Sequence, residues 1–585
     1  MDNKEISLIL KELAVYKELA GENVFKIRAF ENAARVIENY PAPMIELLEQ
    51  NTLNQIKGIG KSIAEVIVEL VNHGTSRELD ELKLAIPEGL HEMLSLEGMG
   101  PKRVRAVWQK LGVTSIGELE YACQENRLLA LEGFGEKSQA KILKAIEQHK
   151  LYRGQFLFSE ALNIAEGILK ELEKTKQFEK LTLAGSLRRG KAIVKDADIL
   201  VVPAKASTPD SLIKILTALA DDSAGGKEII SAGDTKVSIR RDGLQVDFRI
   251  IPPESYASAL QHFSGSKEHN TLLRSRAKAM GFKMNEYGFA KGEQMFYPAS
   301  EEEVYKFLNL AWIPPELREG EDEIEAADRK ELPELVRYEE LKGMIHVHSN
   351  YSDGLLSIGE LARECAQRGF SYLCLSDHSR SAYYAHGLSE QRLLQQIEEI
   401  KKVNEELKPF KVFAGIESDI LADGSLDYPP EILKELDFVI GAVHSKLSMS
   451  REEATERLVK AVKNPYLTIL AHASGRLLLS REGYTYDEEK LLDALAEHGV
   501  VLEHNCNPHR LDPGWQTLKK AGRREILVAL SPDAHDAEGL DHIRYGQIMA
   551  SKAWLKATQI LNCKSKEEIN EFFRERKRKA GAGNI

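Results

Sequence analysis

Residues 185–198 read GSLRRGKAIVKDAD, and 48 residues separate Asp198 from Asp247 in the run LQVDFRII (244–251). The apolar stretch after Asp198 marks a strand, and alternate side chains of a strand share a face. Asp196 and Asp198 therefore aim two carboxylates at one point. Hard oxygen donors paired in this way suit Mg²⁺, which keeps waters and substrate phosphates in its other positions. Asp247, flanked by apolar residues, offers a third carboxylate from another strand and completes a two-metal arrangement for phosphoryl transfer. A lone Asp-x-Asp is more often a solvated turn. Gly185-Ser186 and Arg189, just upstream, add phosphate-binding groups and favour the functional reading. The short β-rich runs LTLAGSLRRG, ADILVVP, KVSIRR and LQVDFRII, with helical connectors, place the site on an α+β sheet.

Toward the N-terminus, about 150 residues read as helical, with breaks at glycine. Three segments resemble one another: IKGIGKSIAEVIVEL (56–70), LEGMGPKRVRAVWQKLG (96–112) and LEGFGEKSQAKILKAI (131–146). Each places Gly-x-Gly (Gly58 and Gly60, Gly98 and Gly100, Gly133 and Gly135) before an amphipathic helix. Glycine permits a tight turn and close approach of another backbone. The helix N-terminus then offers free N–H groups to a phosphate oxygen. One copy would be read as a plain turn between packed helices. Three copies, with Lys61, Lys102 and Lys137 at or near the second glycine, point to a sequence-independent grip on a nucleic-acid backbone.

Toward the C-terminus, residues 319–340 hold ten acidic and three basic side chains and read as a linker. Beyond it, seven apolar runs alternate with helical stretches: GMIHVHS, YLCLSDHS, KVFAGIES, FVIGAVHS, LTILAHAS, VVLEHNCN and ILVALSPDAH. Seven strands alternating with helices imply a parallel α/β architecture, most simply a closed barrel whose strand ends meet at one rim. Those ends supply His346, His348, Asp353, His378, Glu417, His444, His472, Asp533 and His535. A single strand-end histidine is usually structural; nine such groups on six ends form a transition-metal site suited to Zn²⁺, Mn²⁺ or Fe²⁺. Four further histidines have weaker claims. His386 and His509 fall on rim loops, as does Arg510, a candidate phosphate contact. His504 alternates with Glu503 and Asn505, and His542 has no partner in sequence.

At 585 residues the chain is long enough for about four domains. Its 43% hydrophobic and 29% charged residues are a globular composition. The net charge of −12 taken alone argues against nucleic-acid binding, but 319–340 contributes −7 of it. Local clusters such as Pro101–Lys110, with four basic residues and no acidic one, matter more. Five scattered cysteines without a CxxC pair fit a reducing cytoplasm. No signal-peptide pattern or membrane-spanning run is read.

The GSLRRG, DAD and later Asp pattern resembles the nucleotidyltransferase core of family X DNA polymerases, and HFSGSKEHN (262–270) resembles their nucleotide-binding turn between palm and thumb. The rim, above all IHVHSNYSDG and SPDAH, resembles the PHP (polymerase and histidinol phosphatase) domain, which houses three metal ions. The order of parts is that of the bacterial members of the family. The resemblance implies a helix-hairpin-helix region (1–88), fingers with two more such motifs (89–152), a palm (153–255), a thumb (256–318), the acidic linker (319–340) and a seven-stranded PHP barrel (341–585). It implies that Asp196, Asp198 and Asp247 hold Mg²⁺ or Mn²⁺, and that Asp247 helps activate a primer 3′-OH. Ser186 and Arg189 would bind the triphosphate, Gly265 would lie under the incoming sugar, and Asn270 and Arg274 would face the minor groove. The rim would hold up to three Mn²⁺ or Zn²⁺ ions.

The implied activity is a monomeric cytoplasmic repair polymerase that fills short gaps with dNTPs, joined to an Mn²⁺-dependent 3′–5′ exonuclease or phosphoesterase. Two departures stand out. Val66 occupies the position of the lysine nucleophile of the eukaryotic repair members, and His262 stands where those members have Tyr before the Phe of the turn (here Phe263). One rival is a DNA-binding phosphoesterase whose polymerase core is only a scaffold. Another is a small-molecule phosphatase joined to a binding module.

Overall fold

The computed structural model describes residues 1–38, 40, 42–49, 52, 53, 56–150, 154–223 and 226–582. The chain divides into two compact units, Met1–His149 and Lys150–Ile585. The boundary expected at 152/153 lies outside the described residues. Among the described residues no helix is long and apolar enough to cross a membrane.

The first unit is helical. Asp2 and Glu5 form a capping box that starts the helix Asn3–Ala20, and Gly21 ends it in the left-handed region. Its buried stripe, Ile6, Leu10, Leu13 and Leu19, packs into one core with Ile67, Leu70, Val104, Val107 and Ile142. Val66 joins that core at 6% exposure, so this position offers no nucleophile.

The second unit begins with a five-stranded sheet in the order Phe178–Leu183, Asp196–Pro203, Leu244–Ile250, Lys236–Arg241, Ile229–Ala232. Asp196–Pro203 and Leu244–Ile250 run parallel; the other pairings are antiparallel. Two helices, Tyr256–Ser264 and Lys267–Ala279, then a three-stranded antiparallel sheet and the helix Glu301–Phe307 form the next layer. Phe282, Phe289, Phe296 and Phe307 interlock there, Phe289 and Phe307 stacking at 4.4 Å.

The segment 319–340, expected to be a linker, is folded and ion-paired. It carries the helix Glu323–Arg329. Glu321 and Asp322 accept from Lys519 at 2.7 and 2.6 Å, and Asp322 also accepts from Arg523 at 2.6 Å. Glu323 is fully buried against His269.

The C-terminal region has all its paired strands parallel. Among the described residues the expected continuous seven-stranded barrel does not form: eight strands fall into a three-stranded and a five-stranded sheet. The third expected strand breaks into Lys411–Ala414 and Glu417–Asp419. At the break, Phe438 packs on Gly415 so tightly that a Cβ there would lie 2.2 Å from the ring. Single bridges, His378 with Glu417 and Val347 with Ala534, link the sheets. Between Gly343–Val347 and Val528–Ser531 the buried Asn562 amide stands in for a ladder. It donates to the carbonyls of Gly343 and Leu530 and accepts from Leu530 N–H.

Candidate active sites

In the five-stranded sheet, Asp198 and Asp247 are direct register partners on adjacent parallel strands, and Asp196 lies two residues before Asp198 on the same face. The expected carboxylate triad is thus assembled by strand pairing. The GSLRRG loop lies against it: a Cβ on Gly185 (φ +63°) would sit 2.5 Å from Asp198 Oδ2. Only glycine allows that approach. Lys236 Nζ lies 2.7 Å from Asp247, and Arg249 lies 3.8 Å from Asp198 and 3.7 Å from Asp247. Burial, together with Asp196 and Asp247, pushes Asp198 up to about 6. Burial and Asp247 also push Asp196 up. Asp247 is also penalised by burial, but Lys236 and Gln245 hold it below the ordinary carboxylate range. Like charges on one face, with only part of their repulsion offset, are a donor set that divalent cations fit.

The two arginines of the loop differ in surroundings. Arg188 forms a bidentate pair with Glu301 at 2.7 and 2.8 Å, and Glu301 also accepts from the fully buried Arg318. Arg189 donates Nη1–H to the carbonyl of Ser264, next to Gly265, and its Nε lies 3.4 Å from Glu319. Asn270, expected to face a groove, is 8% exposed. It accepts from Gln261 at 2.8 Å and donates to the His262 carbonyl at 2.7 Å. Arg274 donates Nε–H to the Asn270 carbonyl at 3.2 Å. Ser186 lies in the short helix Gly185–Arg188, whose first residue packs on Asp198.

The nine rim residues converge. Eight of them form three overlapping groups whose ligand atoms lie within 4.8 Å of one another: His348, Asp353, His378 and His535; His346, His348 and Asp533; His378, Glu417 and His444. The ninth, His472, places Nε2 3.0 Å from Glu417. His346, His472 and Asp533 have φ of +66°, +27° and +52°, strained values for such residues. His346 Nε2, His348 Nδ1, Asp353 Oδ2 and Glu417 Oε2 are buried without a hydrogen bond. His378 Nδ1 and Glu417 Oε2 lie 2.8 Å apart without hydrogen-bond alignment. Buried polar atoms that face one another unbonded fit cations held between them.

Sequence reasoning passed over the carboxylates behind these imidazoles. Glu503 Oε2 lies 2.6 Å from His346 Nδ1, and Asp419 Oδ1 lies 2.6 Å from His444 Nδ1. Such partners fix ring orientation and tautomer. Buried Asp377 accepts from Ser349, Ser352 and Gln396 and so sets the HVHSNYSDG loop. The alternation of Glu503 and Asn505 around His504 was the available signal. His504 indeed faces away, its Nδ1 3.0 Å from the Pro513 carbonyl, and burial lowers it to about 3. Burial lowers His542 to about 4. His386 is exposed, whereas His509 and Arg510 are buried.

In the helical unit the three Gly-x-Gly turns share one construction. The first glycines, Gly58, Gly98 and Gly133, have φ of +103°, +88° and +84°. The middle residues Ile59, Met99 and Phe134 are buried, each donating its N–H to the carbonyl three residues earlier at 3.1 Å. The second glycines, Gly60, Gly100 and Gly135, have open space where a Cβ would be. Gly60 and Gly100 cap their helices without a side-chain hydrogen bond. Lys61, Lys102 and Lys137 are exposed. Arg103 ties two of the turns together by donating to the carbonyls of Gly98 and Gly133.

The two clusters of facing carboxylates and imidazoles are donor sets that cations would fit, the arrangement of a phosphoryl-handling enzyme class. Family descriptions match part by part: "Helix-hairpin-helix domain" over 1–76, "SAM-like Helix-hairpin-helix tandem" over 90–148, "DNA polymerase beta thumb" over 259–319 and "PHP domain" over 345–506. The "DNA polymerase/3′-5′ exonuclease PolX" of Bacillus subtilis (strain 168) is 36% identical over 98% of this chain and 100% of its own length. The chain belongs to the family X DNA polymerases of this PHP-bearing type. The C-terminal region is also similar to a "Probable phosphatase" of Thermoanaerobacter sp. (strain X514), 28% identical over 40% of this chain and 96% of that protein. A second "Probable phosphatase", from Caldanaerobacter subterraneus, is 26% identical over 41% of this chain and 93% of its length.

Proposed function

We propose that the chain is a DNA-directed DNA polymerase and 3′–5′ exonuclease that fills short gaps during DNA repair. The observation that carries the polymerase reading is the register pairing of Asp198 with Asp247 beneath the GSLRRG loop. Asp196, Asp198 and Asp247 would hold Mg²⁺ or Mn²⁺, and the nine rim residues would hold up to three Mn²⁺ or Zn²⁺ ions. Bound there, such cations neutralise phosphate charge and favour attack on phosphorus.

The chain's own groups do the rest. Ser186 and Arg189 receive the triphosphate, and Gly265 leaves room for the sugar. Asp247 orients the primer 3′-OH and accepts its proton as the oxygen attacks the α-phosphate and pyrophosphate departs. Glu503 and Asp419 keep His346 and His444 in one orientation. The hairpins of residues 1–88 and 89–152 grip backbone phosphates through Gly60, Gly100 and Gly135. Residues 153–255 act as palm, 256–318 as thumb, and 341–585 as the nuclease.

The test uses a labelled primer on a short-gap duplex. With dNTPs and Mg²⁺ or Mn²⁺ the primer should lengthen; without dNTPs it should shorten from its 3′ end; a chelator should stop both. Shortening without any extension would favour the scaffold reading instead.

A further inference from the structure

We propose that Lys552, which lies in the PHP region, is a positioning residue for nucleotide binding in the palm; this rests on the polymerase reading above. The helix Ile543–Lys552 begins eight residues after His535. Its outer face nevertheless belongs to the palm: Tyr545 and Met549 share a buried cluster with Leu187, Val194, Ala197 and Val246. Ile548 presses on Gly190 of the GSLRRG loop, where a Cβ would lie 2.6 Å from Ile548 Cγ2. The nucleotide loop therefore rests directly on a helix of the nuclease region.

Lys552 ends that helix with its side chain 2% exposed. Its Nζ donates to the carbonyls of Arg189 at 3.0 Å and Glu316 at 3.4 Å, and pairs with the Glu319 carboxylate. The three oxygens come from the palm (Arg189), the thumb (Glu316) and the first residue after it (Glu319). A buried ammonium persists only with such partners. The same Glu319 oxygen faces Arg189 Nε, while Arg189 Nη1 reaches the carbonyl of Ser264 beside Gly265. Lys552 thus anchors the loop backbone at Arg189 and shares the carboxylate that competes for the Arg189 guanidinium.

Without the ammonium, Glu319 would turn wholly to Arg189. The guanidinium would be neutralised and held back from an incoming triphosphate. The loss should appear as weaker nucleotide binding more than slower chemistry. It should also be relieved by removing the charge of Glu319, an outcome that a merely loosened interface would not produce.

The experiment compares gap filling by the full chain with Lys552→Met, Lys552→Gln and the double variant Lys552→Gln with Glu319→Gln. Lys552→Gln keeps a donor near the Arg189 carbonyl and serves if Lys552→Met does not fold. Either single variant should raise the KM for dNTP about tenfold, with kcat changed less than about threefold. The double variant should recover most of that KM. The 3′-end degradation rate, measured without dNTPs, should stay within about twofold throughout, since the rim is untouched. An unchanged KM in a folded single variant, no recovery in the double variant, or a parallel loss of degradation would overturn the proposal. Absence of extension by the unaltered chain would instead overturn the polymerase reading.

Discussion

The palm triad and the PHP rim both gather carboxylates, yet they are built to different degrees of completion. In the palm, the Asp198 side chain is 21% exposed, Arg249 on the adjacent strand lies 3.8 Å from it, and Lys236 pairs with Asp247. At the rim, His346 and His348 are fully buried, Glu417 is 1% exposed, and Glu503 and Asp419 stand behind His346 and His444. The palm supplies only hard oxygens, a set completed by substrate phosphates; the rim supplies a full mixed set before any substrate arrives. Cations should therefore come and go with nucleotide in the palm and reside at the rim.

The largest effect that could break this contrast comes from the palm. Asp196→Ala with Asp198→Ala should lower extension on the order of a thousandfold or more, the scale of lost charge stabilisation in phosphoryl transfer. The cation content of the purified protein should barely change. If elemental analysis showed resident cations vanishing with these two aspartates, the contrast would be wrong.

A second test concerns what holds the palm without cations. Glu301 binds Arg188 and the fully buried Arg318, so Glu301→Ala should cost about 3–5 kcal/mol by leaving buried charge unpaired. Burial raises the Glu301 carboxyl, but the two arginines hold it at about 2, below its ordinary 4.5. Its stabilising contribution should be complete above about 4.5 and be lost as pH falls toward 2. Denaturant titrations across that window, comparing the native chain and the variant, measure it directly.

At the rim, Glu503→Gln keeps shape but removes the charge behind His346. Cation affinity should fall about 10–100-fold, with extension unaffected. Competition with a chelator reads the affinity, and an unchanged value would remove Glu503 from the account. The smallest effect belongs to the hairpins. Gly100 has open space and φ −80°, so Gly100→Val should fold normally yet obstruct a phosphate. Affinity for gapped DNA should fall several-fold, about 1 kcal/mol, within a binding energy that weakens steeply with salt. Salt-independent binding would contradict the backbone-grip reading.

Much of this was legible in the chain because the signals are local. Asp-x-Asp, Gly-x-Gly and His-x-His place their groups through strand and helix periodicity alone. What stayed hidden depends on distant partners. The acidic run 319–340 reads as a linker until Lys519 and Arg523, 197 and 201 residues away, fold against Asp322. Nothing near Lys552 in the sequence points to Arg189, 363 residues earlier, whose carbonyl it meets in the fold. The break between the two sheets is not legible, because Gly415 and Asn562 act at positions where strand periodicity says nothing of it.

The separation of two chemistries on one chain, extension in the palm and 3′-end degradation at the rim, rests on these two donor sets. It is tested most directly by crossing His346→Ala with His348→Ala against Asp196→Ala with Asp198→Ala on one labelled gapped substrate. Each variant is given Mg²⁺ or Mn²⁺, with dNTPs supplied or withheld. The histidine variant should extend and not degrade, and the aspartate variant should degrade and not extend. Degradation from the 3′ end by the histidine variant would contradict the account, because the nuclease would then lie outside the rim.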